Sequence, residues 1–272
     1  MKFNKKFLPV IIAVPIVIIL VLVYFLVLRK VNPNTKAVEQ VETPPSVAKI
    51  NDMALAQRPY VELIPHSNKA TCDGVDLNIT NLKNGEEKAE YELEYTTEKL
   101  IQGVFGNRDL VKQEEHKPLE FGTCSKGACK CDNDINGGSL KLTFTGKINY
   151  VLKGDFKVGS IADNKGILVS KDVRLSLDLN GAIDDKQRVM IASTMGLPAD
   201  LSSKVILGPY GIFVQDLAKF EKPLKVSLQS KDVATGKVQF WDGTKWNVLT
   251  TQINADKAEF TIEKTGVIVL TE

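Results

Sequence analysis

The sequence predicts a mainly β protein carried behind a single membrane-spanning helix, and three observations predict it. A continuous apolar run occupies residues 7–28. Beyond residue 58, short segments alternate apolar and polar side chains with a period of two and are separated by Gly, Asn and Asp. All four cysteines fall among those segments.

The apolar run is free of charge, amide and hydroxyl except for the phenol of Tyr24. At ~1.5 Å per helical residue it reaches about 33 Å, enough for a hydrocarbon core of ~30 Å. A cleaved signal peptide has a shorter apolar region and small residues at its cleavage site; this run passes directly into Leu28-Arg29-Lys30. An uncleaved signal-anchor over residues 1–30 is expected. Pro9 lies in the first turn, where its missing N–H costs little, and Pro15 predicts a kink or a helix that is best formed after Ile16. Basic residues flank both ends, so the positive-inside bias is slight. The short N-terminal tail and the cysteines favour a cytoplasmic N-terminus with the bulk of the chain outside.

The whole chain has a formal net charge of +2, from 35 basic and 33 acidic residues, but five of the basic residues and none of the acidic ones lie in the first 30. Removing those five leaves 30 basic against 33 acidic residues, a net of −3. A mildly acidic surface argues against nucleic acid as a partner and against a broad polybasic membrane patch. Residues 31–57 contain Pro33, Pro44 and Pro45 among Asn, Thr, Glu and Ser, and are expected to be a tether; residues 48–56 could form only a short helix.

A first β domain is expected over residues 58–160. Strands are predicted at 60–64, closed by Pro65, at 75–80, and at 90–95, where Tyr91, Leu93 and Tyr95 alternate with Glu90, Glu92 and Glu94. Residues 100–105 are its expected partner, and 140–144 and 148–152 add two more strands. A second β domain is expected over 161–272, with strands at 173–179, 188–194, 212–214, 223–228, 260–262 and 267–270. Pro198 to Ser203 is read as a helical or turn segment and Gly208-Pro209-Tyr210-Gly211 as a turn. Residues 238–249 are read as a hairpin turning at Asp242-Gly243. Short, evenly spaced strands suggest two antiparallel sandwiches of immunoglobulin or fibronectin type, although the first half has no Trp and so lacks the Cys–Trp–Cys arrangement.

Cys72, Cys124, Cys129 and Cys131 are even in number, as disulfides require. A Cys129–Cys131 pair would close a strained, very small ring. Spacing favours Cys124–Cys129 over a flexible Ser125-Lys126-Gly127-Ala128 loop, leaving Cys72–Cys131. The competing reading is a four-thiolate zinc site, which this spacing fits poorly. Asp132-Asn133-Asp134-Ile135-Asn136-Gly137 matches the first half of a calcium loop, with Asp132, Asp134 and Asn136 as candidate ligands; Thr143 stands where the closing acid belongs. A plain Asp/Asn/Gly turn competes with that reading. Otherwise no cofactor is expected. Trp241 and Trp246, both in the hairpin, are candidate sugar-stacking residues, weighed against a covering role at a sandwich edge.

The segment Phe220-Glu221-Lys222-Pro223-Leu224-Lys225-Val226, the hairpin Phe240-Trp241-Asp242-Gly243-Thr244-Lys245-Trp246 and the closing Thr265-Gly266-Val267-Ile268-Val269-Leu270 resemble the β-sandwich repeats of bacterial surface proteins. The plan is similar to single-span proteins with immunoglobulin-like ectodomains. The resemblance covers part of the chain, its motifs are structural, and it implies a fold and a location but no catalytic residues.

No H-E-x-x-H, G-x-S-x-G, Walker loop or strand-following G-x-G-x-x-G occurs. His66 and His116 are expected in solvated loops, and the pairs Asp184-Asp185 and Glu114-Glu115 do not establish facing carboxylates. The expectation is a membrane-tethered, non-catalytic protein whose β domains lie outside the cytoplasm and serve adhesion or protein–protein assembly in an envelope. The alternative is a surface module binding a glycan or calcium. An envelope hydrolase with an unrecognised site is third.

Overall fold

A computed structural model describes residues 49–67, 71–97, 100–111, 118–217 and 219–272. The expected anchor and all but the last residues of the expected tether lie outside them. Among the described residues no helix is long and apolar enough to cross a membrane. The polypeptide divides into two units, Met1–Val47 and Ala48–Glu272, and the regular structure described in the second is almost wholly antiparallel strand.

The strands are, in chain order, β1 (Tyr60–His66), β2 (Gly74–Thr80), β3 (Glu86–Thr96), β4 (Ile101–Asp109), β5 (Leu119–Glu120), β6 (Gly122–Ser125), β7 (Ala128–Cys131), β8 (Gly137–Gly146) and β9 (Tyr150–Gly159). After a short helix, α1 (Ile161–Asn164), come β10 (Ile167–Val169), β11 (Leu175–Asp178), β12 (Val189–Ser193), β13 (Val205–Val214) and β14 (Leu224–Gln229). The chain ends with β15 (Lys237–Trp241), β16 (Trp246–Val248), β17 (Gln252–Asn254), β18 (Lys257–Ile262) and β19 (Gly266–Thr271). One nine-stranded sheet runs β16-β15-β19-β13-β12-β9-β8-β3-β4. A five-stranded sheet, β10-β11-β14-β18-β17, and a three-stranded sheet, β1-β2-β5, accompany it, with β6-β7 as a separate hairpin.

The period of two explains how these sheets stack. Successive side chains on a strand point to opposite faces. Val189 and Ile191 of β12 enter a core with Leu175, Leu177, Val226 and Leu228 of the five-stranded sheet. Met190 and Ala192, between them, enter a second core with Val61, Leu63, Val75 and Leu77 of the three-stranded sheet. β13 divides likewise, Ile212 and Val214 joining the first core and Phe213 the second. The two smaller sheets therefore cover opposite faces of the large one, and β12 and β13 are buried on both. A strand covered on both faces reads as an unbroken apolar run, which is what Val189-Met190-Ile191-Ala192 is.

A domain boundary is expected near residue 160, yet Met190, Ala192 and Phe213, beyond it, belong to the same core as residues before it. The large sheet crosses it without interruption, because β9 pairs with β12 in the register Phe156↔Ala192, Val158↔Met190. The hydroxyl of Ser160 caps α1 by accepting the Asp163 N–H at 3.3 Å, while the Asp163 carboxylate accepts the Ser160 N–H at 3.1 Å.

Several local expectations are corrected. Gly208-Pro209-Tyr210-Gly211 is not a turn but lies inside β13, where the pairing with β19 shifts register between Leu207 and Tyr210. Such irregularities are where a central strand accommodates proline and glycine. Pro65 does not close β1, which continues to His66. β1 is an edge strand, and an edge tolerates a residue without an N–H. Pro198 to Ser203, read as a helical or turn segment, forms bends. Residues 49–57, the end of the expected tether, are fastened to the β unit. Ile50 bridges Val151, Asn51 exchanges side-chain hydrogen bonds with the Lys153 backbone at 2.9 and 3.0 Å, and the Arg58 guanidinium donates to the carbonyls of Met53 and Asn51.

Candidate binding surfaces

The cysteines form the expected pairs, Cys72–Cys131 and Cys124–Cys129, with Cα separations of 5.2 and 4.0 Å. Their thiols are thus spent as disulfides rather than held as zinc thiolates. Cys124 and Cys129 face each other across the β6–β7 hairpin. Cys72–Cys131 ties the foot of that hairpin to the residues leading into β2. The two bridges lie side by side, the sulfurs of Cys72, Cys124 and Cys129 all within 4.8 Å of one another. Gly122 makes this packing fit. It has φ +133°, and a Cβ there would stand 2.4 Å from the Lys130 carbonyl oxygen and 3.1 Å from the Cys72 sulfur.

The Asp132 loop follows directly. Asp132 accepts a hydrogen bond from the Tyr95 hydroxyl at 2.6 Å. Ile135 is buried in the core of the first half, and its carbonyl accepts from Arg188 Nη2 at 2.7 Å. Asp134 and Asn136 are exposed. The loop borders a cavity of about 550 Å3 that mixes the carboxyls of Asp73, Asp163 and Asp185 with the cationic Lys186 and Arg188. Among the described residues no three carboxylates converge within 4.8 Å.

Trp241 and Trp246 are directly paired across the β15–β16 hairpin. Their ring centroids are 5.7 Å apart and their planes inclined by 57°, so the rings do not make one flat platform. Both are half-buried, and the Trp246 indole N–H donates to the Ala199 carbonyl at 3.4 Å. The turn is closed by Asp242, which accepts from the Thr244 hydroxyl and backbone, the Lys245 backbone and the Asn247 amide. Led by the Thr244 hydroxyl, these donors hold the Asp242 carboxyl well below the usual carboxylate range.

A set of four tyrosine–carboxylate locks was not legible in the sequence. Tyr60 donates to Glu62 at 2.9 Å, Tyr95 to Asp132 at 2.6 Å, Tyr150 to Glu86 at 2.5 Å and Tyr210 to Asp172 at 2.5 Å. Burial first, and the adjacent carboxylate second, raises each phenol above its ordinary value. The unfolded phenols release their protons near pH ~10, so the stability these locks contribute is fully present below that pH and is lost as pH rises toward the folded values. Four of the six tyrosines should therefore yield tyrosinate absorbance only as the β circular-dichroism signal collapses. Titration of all the phenols near pH ~10 with the fold intact would contradict the locks.

The remaining feature is β4, the outer strand of the nine-stranded sheet. Its inward residues Gln102, Val104 and Arg108 face the core side, while Ile101 and Phe105 are 75% and 66% exposed. Pairing with β3 sets Phe105 opposite Glu92, Gly103 opposite Glu94 and Asn107 opposite Glu90. An apolar ridge thus runs beside an acidic stripe, of which Glu92 is paired with Lys141 at 2.8 Å. The apolar residues at 101 and 105, four positions apart with Gly103 midway between them, were the sequence signal. Only the partner strands show which face is solvent. His66 Nδ1 lies 3.3 Å from Asp76 Oδ2, whereas His116 and Glu114-Glu115 lie outside the described residues.

These features define a disulfide-stapled, mainly antiparallel β protein. No protein-family model, curated protein or solved structure matches the chain.

Proposed function

We propose that this protein is a membrane-tethered, non-catalytic binding protein whose strand-built unit lies outside the cytoplasm, where it adheres to or assembles with another envelope protein. The observation that carries the reading is the β4 edge. An outer strand offers backbone donors and acceptors to an incoming segment, and Ile101 and Phe105 add apolar contacts beside an acidic stripe. The partner that fits is an extended segment alternating apolar and basic residues. The apolar run at residues 7–28 supports the tether, and the two disulfides support an oxidising compartment. The antiparallel sheets support a likeness to immunoglobulin-like surface modules.

The test is fluorescence anisotropy with a capped peptide alternating Lys and Val. The full chain should bind it saturably, and Ile101→Lys with Phe105→Lys should weaken binding about tenfold or more while leaving the melting temperature unchanged. Equal binding of a Glu-for-Lys peptide, or no effect of the double substitution, would refute the strand-addition reading. Protease added to sealed cells should digest the residues beyond 30; digestion only in inverted vesicles would refute the location.

A further inference from the structure

The three-stranded sheet does not cover the whole of its face of the nine-stranded sheet. Its edge strand β1 packs over β12 and β13, and β19, β15 and β16 continue beyond it. At that step lies a cavity of about 140 Å3. Its wall is Tyr60, Glu62 and Ile64, alternate residues of β1, and its floor includes Phe213 of β13 and Trp241 of β15. Trp241 is registered with Val267, and Val267 with Gly211. Gly211 and Phe213 share a face, so Trp241 and Phe213 stand on the same side of the sheet.

Glu62 gives this cavity its charge. One carboxylate oxygen accepts from the Tyr60 hydroxyl at 2.9 Å and the other from the Asn78 amide at 3.3 Å. Among the described residues no basic group pairs with it. Lys264, next to the lining residue Thr265, is instead 3.8 Å from Asp242.

We propose that this pocket binds an organic ammonium group. A carboxylate that no basic group among the described residues pairs with supplies the charge, and the negative faces of aromatic rings attract a cation directly. Ile64 and the three aromatic residues suit an ammonium's alkyl shell. A bare metal ion would require several oxygen ligands, and an anion would be repelled by Glu62. The volume is below the ~300 Å3 at which pockets begin to enclose whole drug-sized ligands, so a headgroup or a side-chain tip is what enters. Two sources share this chemistry: a lysine of a protein partner, and a quaternary amine, free or lipid-borne. The proposal stands on Glu62 and Trp241 and is independent of β4.

Tryptophan fluorescence of the full chain in non-ionic detergent tests it, with tetramethylammonium, Nα-acetyl-lysine methylamide and the uncharged tert-butyl alcohol as probes. An ammonium probe should give a saturable change with a midpoint of about 1 mM, and tert-butyl alcohol none. Glu62→Gln should weaken the ammonium response about tenfold, one charge interaction being lost. Tighter tetramethylammonium assigns a quaternary amine, and tighter lysine amide assigns a protein lysine. Should Glu62→Gln lower the melting temperature, the native-chain contrast between ammonium and alcohol decides alone. The proposal is overturned by an equal response to the alcohol, by absence of saturation about tenfold above the expected midpoint, or by unchanged affinity in a folded Glu62→Gln chain.

Discussion

Serine at both Cys72 and Cys131 should lower the unfolding free energy by about 4 kcal/mol, the larger of the two disulfide effects. The reason lies in the unfolded chain. This bridge joins residues 59 apart, whereas Cys124–Cys129 joins residues only 5 apart. In the chain-entropy account the restriction grows with the logarithm of loop length, giving about 4 kcal/mol for the long loop and about 2 for the short one. Urea unfolding without reductant should therefore rank the variants native, Cys124→Ser/Cys129→Ser, then Cys72→Ser/Cys131→Ser. The reverse order would show that packing of the hairpin, rather than loop closure, dominates.

The second large effect concerns β12. Met190 and Ile191 are adjacent, 0% and 2% exposed, and enter different cores. Met190→Ala and Ile191→Ala should each cost about 3 kcal/mol by removing buried methylenes and leaving a cavity. The two cores share strands, so a loss in either destabilises the pairing on which the other rests. Circular dichroism and the fluorescence of Trp241 and Trp246 should accordingly report one coincident transition in both variants. If Met190→Ala instead melted part of the β signal while the tryptophans stayed native, the two halves would be independent folding units.

Residues 86–96 show how far local pattern reaches. Tyr91, Leu93 and Tyr95 alternate with glutamates, and the strand, its partner β4 and its exposed acidic face all follow from that period. The disulfide pairing was legible for a similar reason, since ring size and loop length are properties of spacing. The Gly-Pro-Tyr-Gly stretch misled because its residues signal a turn wherever the backbone is free to reverse. In β13, Tyr210 and Gly211 pair with strands on both sides, and the register shift between Leu207 and Tyr210 absorbs Gly208 and Pro209 instead.

The candidate pocket shows the opposite limit. Tyr60 and Glu62 are more than a hundred residues from Phe213 and Trp241, and each sits in an ordinary strand pattern. Nothing local sets Glu62 apart from Glu90 or Glu94. By itself the sequence determined strand character, the apolar N-terminal run, charge balance and cysteine pairing, because each depends on neighbours along the chain. Tertiary structure alone decided that one sheet serves two cores, that Ile101 and Phe105 face solvent, and that Glu62 lines one cavity with Tyr60, Phe213 and Trp241. Those outcomes depend on which strands pair across long loops, and the alternation of side chains says only that a strand has two faces, not what will cover either one.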